Sequence, residues 1–175
     1  MSTETAEKTR QFQTIDAGVR IGHVHLKVAD LQRALDFYCG VLGFQVTTTR
    51  PGAAFISAGG YHHHIGLNTW ESRGGHPPAP GTTGLYHTAI LYPTRRLLAD
   101  ELKRLVVAKI PLEGASDHGV SEALYLRDLD DNGVELYWDR PKEQWPQNKD
   151  GSLQMFTNPL DLHDLLAELD KAPAK

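Results

Sequence analysis

The sequence predicts an α+β chain in which two βαβββ modules pair into a cupped, barrel-like sheet. Three observations lead there. Residues 21–70 read as strand, helix and three further strands, and the same order returns, weak in identity, over residues 85–138. A stretch rich in Gly and Pro and without periodicity separates the two copies. The stretch from Asp117 to Trp138 carries a hairpin signal, with an Asp-Asp-Asn-Gly turn at 130–133 between runs rich in Leu, Val and aromatic residues. Internal duplication sets the fold class, because each module alone leaves a sheet face to be buried. The resulting division is a disordered leader at 1–17, a first module at 18–72 and a linker at 73–83. A second module at 84–141 and a C-terminal extension with a helix at 142–175 follow.

The elements follow from local patterns. From Ile21 to Val28, Val24, Leu26 and Val28 alternate with His23, His25 and Lys27, a half-buried strand with two histidines on its other face. Asp30 is an N-cap for a helix whose apolar stripe is Leu31, Ala34, Leu35, Tyr38 and Leu42, and Gly43 closes it. Residues 44–49 read as strand, Pro51-Gly52 as a turn, 53–57 as strand, and Tyr61 to Trp70 as a fourth strand after the Gly59-Gly60 turn. In the second copy, 85–92 is a strand and Arg95 to Lys109 a helix with Leu98, Leu102, Leu105 and Val106 on one side. A short strand at 111–115 and the hairpin complete it. The extension carries an amphipathic helix at 160–169, with Leu162, Leu165, Leu166 and Leu169 apolar, at a spacing that packs on its own core.

Composition limits the function. A chain of 175 residues is long enough to bury a real core as one domain or two packed modules. A net charge of -4 with no basic stripe argues against a nucleic-acid partner. No apolar run reaches membrane-span length, so no membrane partner is expected. The single Cys39 excludes an internal disulfide framework and fits a cytoplasmic location, and on the first helix it reads as a small buried hydrophobe.

The histidines point to a metal. His23 and His87 occupy equivalent places in the first strands of the two copies, and Gly66 and Glu135 occupy equivalent places in the last strands. Alternation puts Glu135 on the face of Gly133 and Tyr137, opposite Val134, Leu136 and Trp138, where a carboxylate needs water or a positive partner. Aimed at a shared cavity, His23, His87 and Glu135 form a set of two imidazoles and one carboxylate, the facial triad of non-haem iron(II) oxygenases. Gly66 donates nothing, which leaves positions open for exogenous ligands.

The paired modules resemble the vicinal oxygen chelate superfamily, which also holds glyoxalase I and the fosfomycin-resistance proteins. Residues 19–141 look most like its type I extradiol ring-cleaving dioxygenases, of the catechol 2,3-dioxygenase kind. The likeness rests on His23, on His87 in Tyr-His-Thr-Ala-Ile, and on His118, Leu124, Tyr125, Asp128 and Glu135 at the spacing of the extradiol signature. Leu129 stands where that pattern has Pro, and Asp131 where it has Gly or Pro. The resemblance implies Fe(II), with Mn(II) as the alternative, held by His23, His87 and Glu135. It implies His118 and Tyr125 as hydrogen-bonding partners of the substrate oxygens. It also implies an acid–base histidine three residues before the vacant ligand position, which is His63; strict alternation would favour His62 or His64, and His64 is the runner-up. His25 reads as a hydrogen-bonded interior histidine beside His23, while His76 and His163 read as surface residues.

The expected activity is Fe(II)-dependent opening of a catechol-like diol by dioxygen, beside the hydroxyls, in a homo-oligomer. Phe55, Trp70 and Trp138 are candidates to wall the ring, although strand aromatics are more often core. Other classes stay open: a glyoxalase-type isomerase, a fosfomycin-resistance-type transferase, or a binding module for a small aromatic ligand. Gly66 argues against a four-ligand isomerase, and the triple histidine with the His118–Tyr125 spacing argues against the transferase.

Overall fold

The computed structural model describes residues 14–172, so most of the leader expected at 1–17 lies outside the described residues. The first module runs β1 (Val24–Lys27), α1 (Leu31–Leu35) continuing as a π-helical segment (Asp36–Val41), β2 (Gln45–Arg50), β3 (Ala53–Ser57) and β4 (Ile65–Asn68). The second runs β5 (Thr88–Leu91), α2 (Arg95–Ala108), β6 (Gly114–Asp117), β7 (Ser121–Arg127) and β8 (Gly133–Asp139). The extension adds β9 (Asn158–Pro159) and α3 (Leu162–Leu166), followed by a 3-10 turn at Ala167–Asp170.

The architecture is α+β with two sheet-and-helix modules, but the expected cupped, barrel-like sheet is not what forms. The strands make two separate sheets, ordered β1-β4-β3-β2 and β5-β8-β7-β6-β9, and neither closes or curls strongly. A barrel requires every edge strand to find a partner in staggered register. Among the described residues β1 and β5 each pair on one side only, β2 is exposed along its whole length, and the outer side of β6 is taken by β9. With its edge occupied from the extension, the larger sheet has no site there for the other module to join.

What unites the modules is the helical side. One core cluster contains Leu26, Val28, Ile56, Ile65 and Leu67 of the first sheet, and Leu124, Leu126, Val134 and Leu136 of the second. Phe37, Tyr38, Leu98, Leu102 and Leu105 from the helices fill the space, and Leu165 of α3 is fully buried with them. The extension is thus packed on the core, and Arg95 fastens it by pairing with Glu122 at 2.7 Å, Asp164 at 2.7 Å and Glu168 at 2.8 Å.

Caps and turns behave as local chemistry dictates, with two corrections. Asp30 caps α1 by accepting from Arg33 N–H at 2.9 Å, and Thr94 caps α2 by accepting from Leu97 N–H at 3.2 Å. On α2, Val106 is 63% exposed, and the buried face carries Glu101 instead, at 3%. Burial pushes the Glu101 carboxyl up, while Arg104 at 3.2 Å opposes that shift. In the β7–β8 hairpin it is Asp131, at φ 65°, that adopts the left-handed turn conformation, and Gly133 lies inside β8. Gly133 is required for another reason. A Cβ there would collide with the backbone oxygen of Tyr86 as the chain enters β5.

That hairpin turn also holds the modules together. The buried Asp128 carboxylate accepts from the Tyr38 hydroxyl of the first module at 3.0 Å, and from Asp130 N–H, Asn132 N–H and Asn132 Nδ2, each at 2.9 Å. Asp130 Oδ1 accepts from Ala29 N–H at 3.1 Å and from Arg33 Nη2 at 2.6 Å. Replacing Tyr38 with Phe leaves the packing and removes one charge-assisted hydrogen bond. Urea unfolding of Tyr38→Phe should show a loss of about 2 kcal/mol with an unchanged m value.

Candidate functional site

The strands carry the site residues on the faces turned away from the helices. In β1, Leu26 is buried while His25 and Lys27 are exposed, and in β8 Val134 and Leu136 are buried while Glu135 and Tyr137 are half-buried. The candidate residues then fall into two groups, one on each module.

The second module holds the longer chain of contacts. His87, just before β5, places Nε2 2.8 Å from Glu135 Oε2. The β7–β8 register sets Tyr125 directly across from Glu135, with its hydroxyl 3.2 Å from Glu135 Oε1 and 2.7 Å from His118 Nε2. His118 Nδ1 donates to the Phe156 carbonyl at 2.9 Å. With Nδ1 committed as donor, a neutral His118 accepts the Tyr125 hydroxyl proton at Nε2. A doubly protonated His118 donates instead, and the phenol O–H then turns to Glu135. Burial, followed by the charge of Glu135, pushes the Tyr125 phenol up to about 12, so it stays a proton donor at neutral pH. Tyr86, His87, Ser116, His118, Tyr125 and Arg127 line a cavity of about 340 Å³ on this face.

The first module gathers imidazoles. One ligand atom from each of His23, His25 and His63 lies within 4.8 Å of the others, a group able to hold a metal ion. The His63 ring lies 4.4 Å, centroid to centroid, from that of His23 and is tilted against it by 47°. Its Nδ1 lies 2.7 Å from His62 Nδ1, and its Nε2 is buried with no hydrogen-bond partner among the described residues. The tautomer that donates from Nδ1 to His62 leaves Nε2 as a free lone pair, the state a metal ligand needs. Desolvation and the neighbouring rings, His23 first, lower the His63 imidazole and keep it neutral. His64 turns away, with Nδ1 3.0 Å from Ser57 Oγ.

The structure therefore brings His87, Glu135, Tyr125 and His118 together, and separately brings His23 to His63 and His25. His87 and Glu135 lie outside the His23 group. Strand β4 begins only at Ile65, so the alternation that would have favoured His62 or His64 does not operate before it. His25, read as interior, is exposed and belongs to the imidazole group. Its place follows from the parallel β1–β4 register, which pairs it with Gly66, a contact no local pattern reveals. Phe55 lies 5.1 Å from His63 and 5.6 Å from His25, and Trp70, 61% exposed, is 6.5 Å from His25. Trp138 packs against the core instead. Cys39 is half-buried, and burial pushes its thiol up.

Both donor groups suit a divalent cation. Neutral imidazoles with a carboxylate are ligands for iron, manganese or zinc. The unpartnered His63 Nε2 and His87 Nδ1 are buried polar atoms that the described residues leave unsatisfied. No helix among the described residues is long and apolar enough to cross a membrane.

Comparison with known proteins agrees with this chemistry. The chain is 41% identical over 155 residues to the catechol-2,3-dioxygenase of Bacillus subtilis (strain 168), a match covering 89% of this chain and 54% of that protein. It is 33% identical over 124 residues to biphenyl-2,3-diol 1,2-dioxygenase 3 of Rhodococcus globerulus, covering 69% of this chain and 63% of that one. The chain thus spans little more than half the length of the Bacillus relative. Among solved structures, a glyoxalase/dioxygenase from Nostoc punctiforme superposes with a TM-score of 0.59 at 19% identity, over 74% of this chain and 99% of that one. Lactoylglutathione lyase from Agrobacterium tumefaciens superposes with a TM-score of 0.55 at 23% identity, over 70% of this chain and 96% of that one. These two likenesses speak for the fold. Residues 20–136 match the family described as the glyoxalase/bleomycin resistance protein/dioxygenase superfamily, to which this chain belongs as a metal-binding member related to the extradiol dioxygenases.

Proposed function

We propose that this chain is an Fe(II)-dependent extradiol dioxygenase that opens a catechol-like ring beside its two hydroxyls, with His23, His87 and Glu135 as the metal ligands. The observation that carries the reading is the hydrogen-bonded chain from His118 through Tyr125 to Glu135, with His87 against the same carboxylate, along the wall of one cavity. The names of the relatives, both ring-diol dioxygenases, support the same reaction class. A divalent iron held there would lower the pKa of a diol bound to it by direct charge stabilisation and would relay electron density from the diol, which is the group oxidised, to dioxygen.

The chain's own residues do the rest. His118 and Tyr125 hydrogen-bond the diol oxygens, and the two proton arrangements of that pair let it take up a hydroxyl proton at His118 Nε2. A cavity of about 340 Å³ is at the lower end of the range for small-molecule sites and suits a diol with one ring. His63, neutral and with Nε2 free, is the acid–base group on the dioxygen side. Phe55, beside His63, helps to keep that side apolar.

Glu135→Gln should lose most of its iron on anaerobic purification while its circular dichroism stays that of the parent. Full iron occupancy in that variant would remove Glu135 from the ligand set. His63→Phe should keep iron and catechol binding and lose ring cleavage by about two orders of magnitude, with a smaller loss for His64→Phe. A reversed order would make His64 the acid–base residue. With catechol, oxygen uptake should match substrate one to one and yield a yellow hydroxymuconic semialdehyde. A muconic acid, or no oxygen uptake, would exclude the extradiol reaction.

A further inference from the structure

Position 66 is where the first module offers no ligand of its own, yet the space above it is filled. A methyl group built on Gly66 would fall on the imidazole of His25, far inside van der Waals contact. The parallel β1–β4 pairing sets His25 directly beside Gly66, so the ring crosses from the neighbouring strand into the volume a side chain at 66 would occupy. The absence of a Cβ there has therefore not left the place vacant. It has admitted a different donor.

From this placement we propose that His23, His25 and His63 are a second cation position, one that takes a late first-row divalent ion, zinc above all, in competition with the ligand set proposed above. The three donors lie within 4.8 Å of one another, and His62 holds His63 Nδ1 at 2.7 Å, so Nε2 is the atom left to bind. Three neutral imidazoles and an open fourth position are a familiar zinc environment, and at a fixed set of nitrogen donors zinc and copper outbind ferrous iron. Phe55 flanks His25 and His63 and limits water on one side. Both sets need His23, so an ion on one withdraws His23 from the other. Only this competition rests on the functional reading; the three-imidazole position stands without it.

The test reads metal binding alone. Metal-free Glu135→Gln, in which the other ligand set is disabled, is titrated with zinc by calorimetry and with Co²⁺ by visible absorption. It should bind one zinc and give the intense bands of four-coordinate cobalt. Adding His25→Ala should weaken zinc binding at least tenfold and abolish those bands; His25 is exposed, and circular dichroism checks that the fold is kept. Adding Gly66→Ala, which displaces the ring without removing it, should do the same. Glu135→Gln that binds no zinc, or a His25→Ala addition that leaves zinc and cobalt binding unchanged, overturns the proposal. Zinc held in this way by a protein that cleaves no catechol would count against the functional reading only.

Discussion

The buried Asp128 carboxylate is the constraint on which the remaining structure depends. It sits in the turn between β7 and β8, 7% exposed, and accepts three hydrogen bonds from its own turn and one from Tyr38 of the other module. A carboxylate so far from water is tolerated only when its lone pairs are filled, so the turn, the helix and the carboxylate are stable together or not at all. The turn fixes the register that sets Tyr125 opposite Glu135, and the same residues lock the first module's helix against the second sheet. The Tyr38 phenol, raised by burial and by Asp128, stays protonated as the donor this arrangement needs. Site geometry and module docking thus share one small turn.

Much of this was legible in the residues themselves. Alternation assigned His25 and Lys27 to the face opposite Leu26, and Glu135 to the face opposite Val134 and Leu136, because those strands have one buried face. The departure at Asp131 from the family pattern has a physical meaning: this is the left-handed position of the turn, where Gly is the relaxed choice and Asp a tolerated one.

What was not legible depends on distant partners. Closure of the sheets was expected from element order, but β9 from the extension occupies the outer edge of β6. The role of His25 depends on a parallel pairing with a residue 41 positions away in sequence, as their numbers show. The three consecutive histidines looked like part of a strand, and the strand begins after them, so each ring follows its own contacts: His62 to His63, His63 to His23, and His64 to Ser57. On α2, a helical stripe placed Val106 with the core, and tertiary packing put Glu101 there beside Arg104.

His118 owes its hydrogen-bonding orientation to the carbonyl of Phe156, a backbone atom of the extension. Every amino acid carries that oxygen. Substitution at position 156 can change the packing around Gly119 but cannot delete the acceptor. The acceptor that orients the His118 imidazole is thereby independent of which side chain stands at position 156. Sensitivity is transferred to the path of the backbone, which the pairing of Asn158 with Asp117 holds in place beside His118.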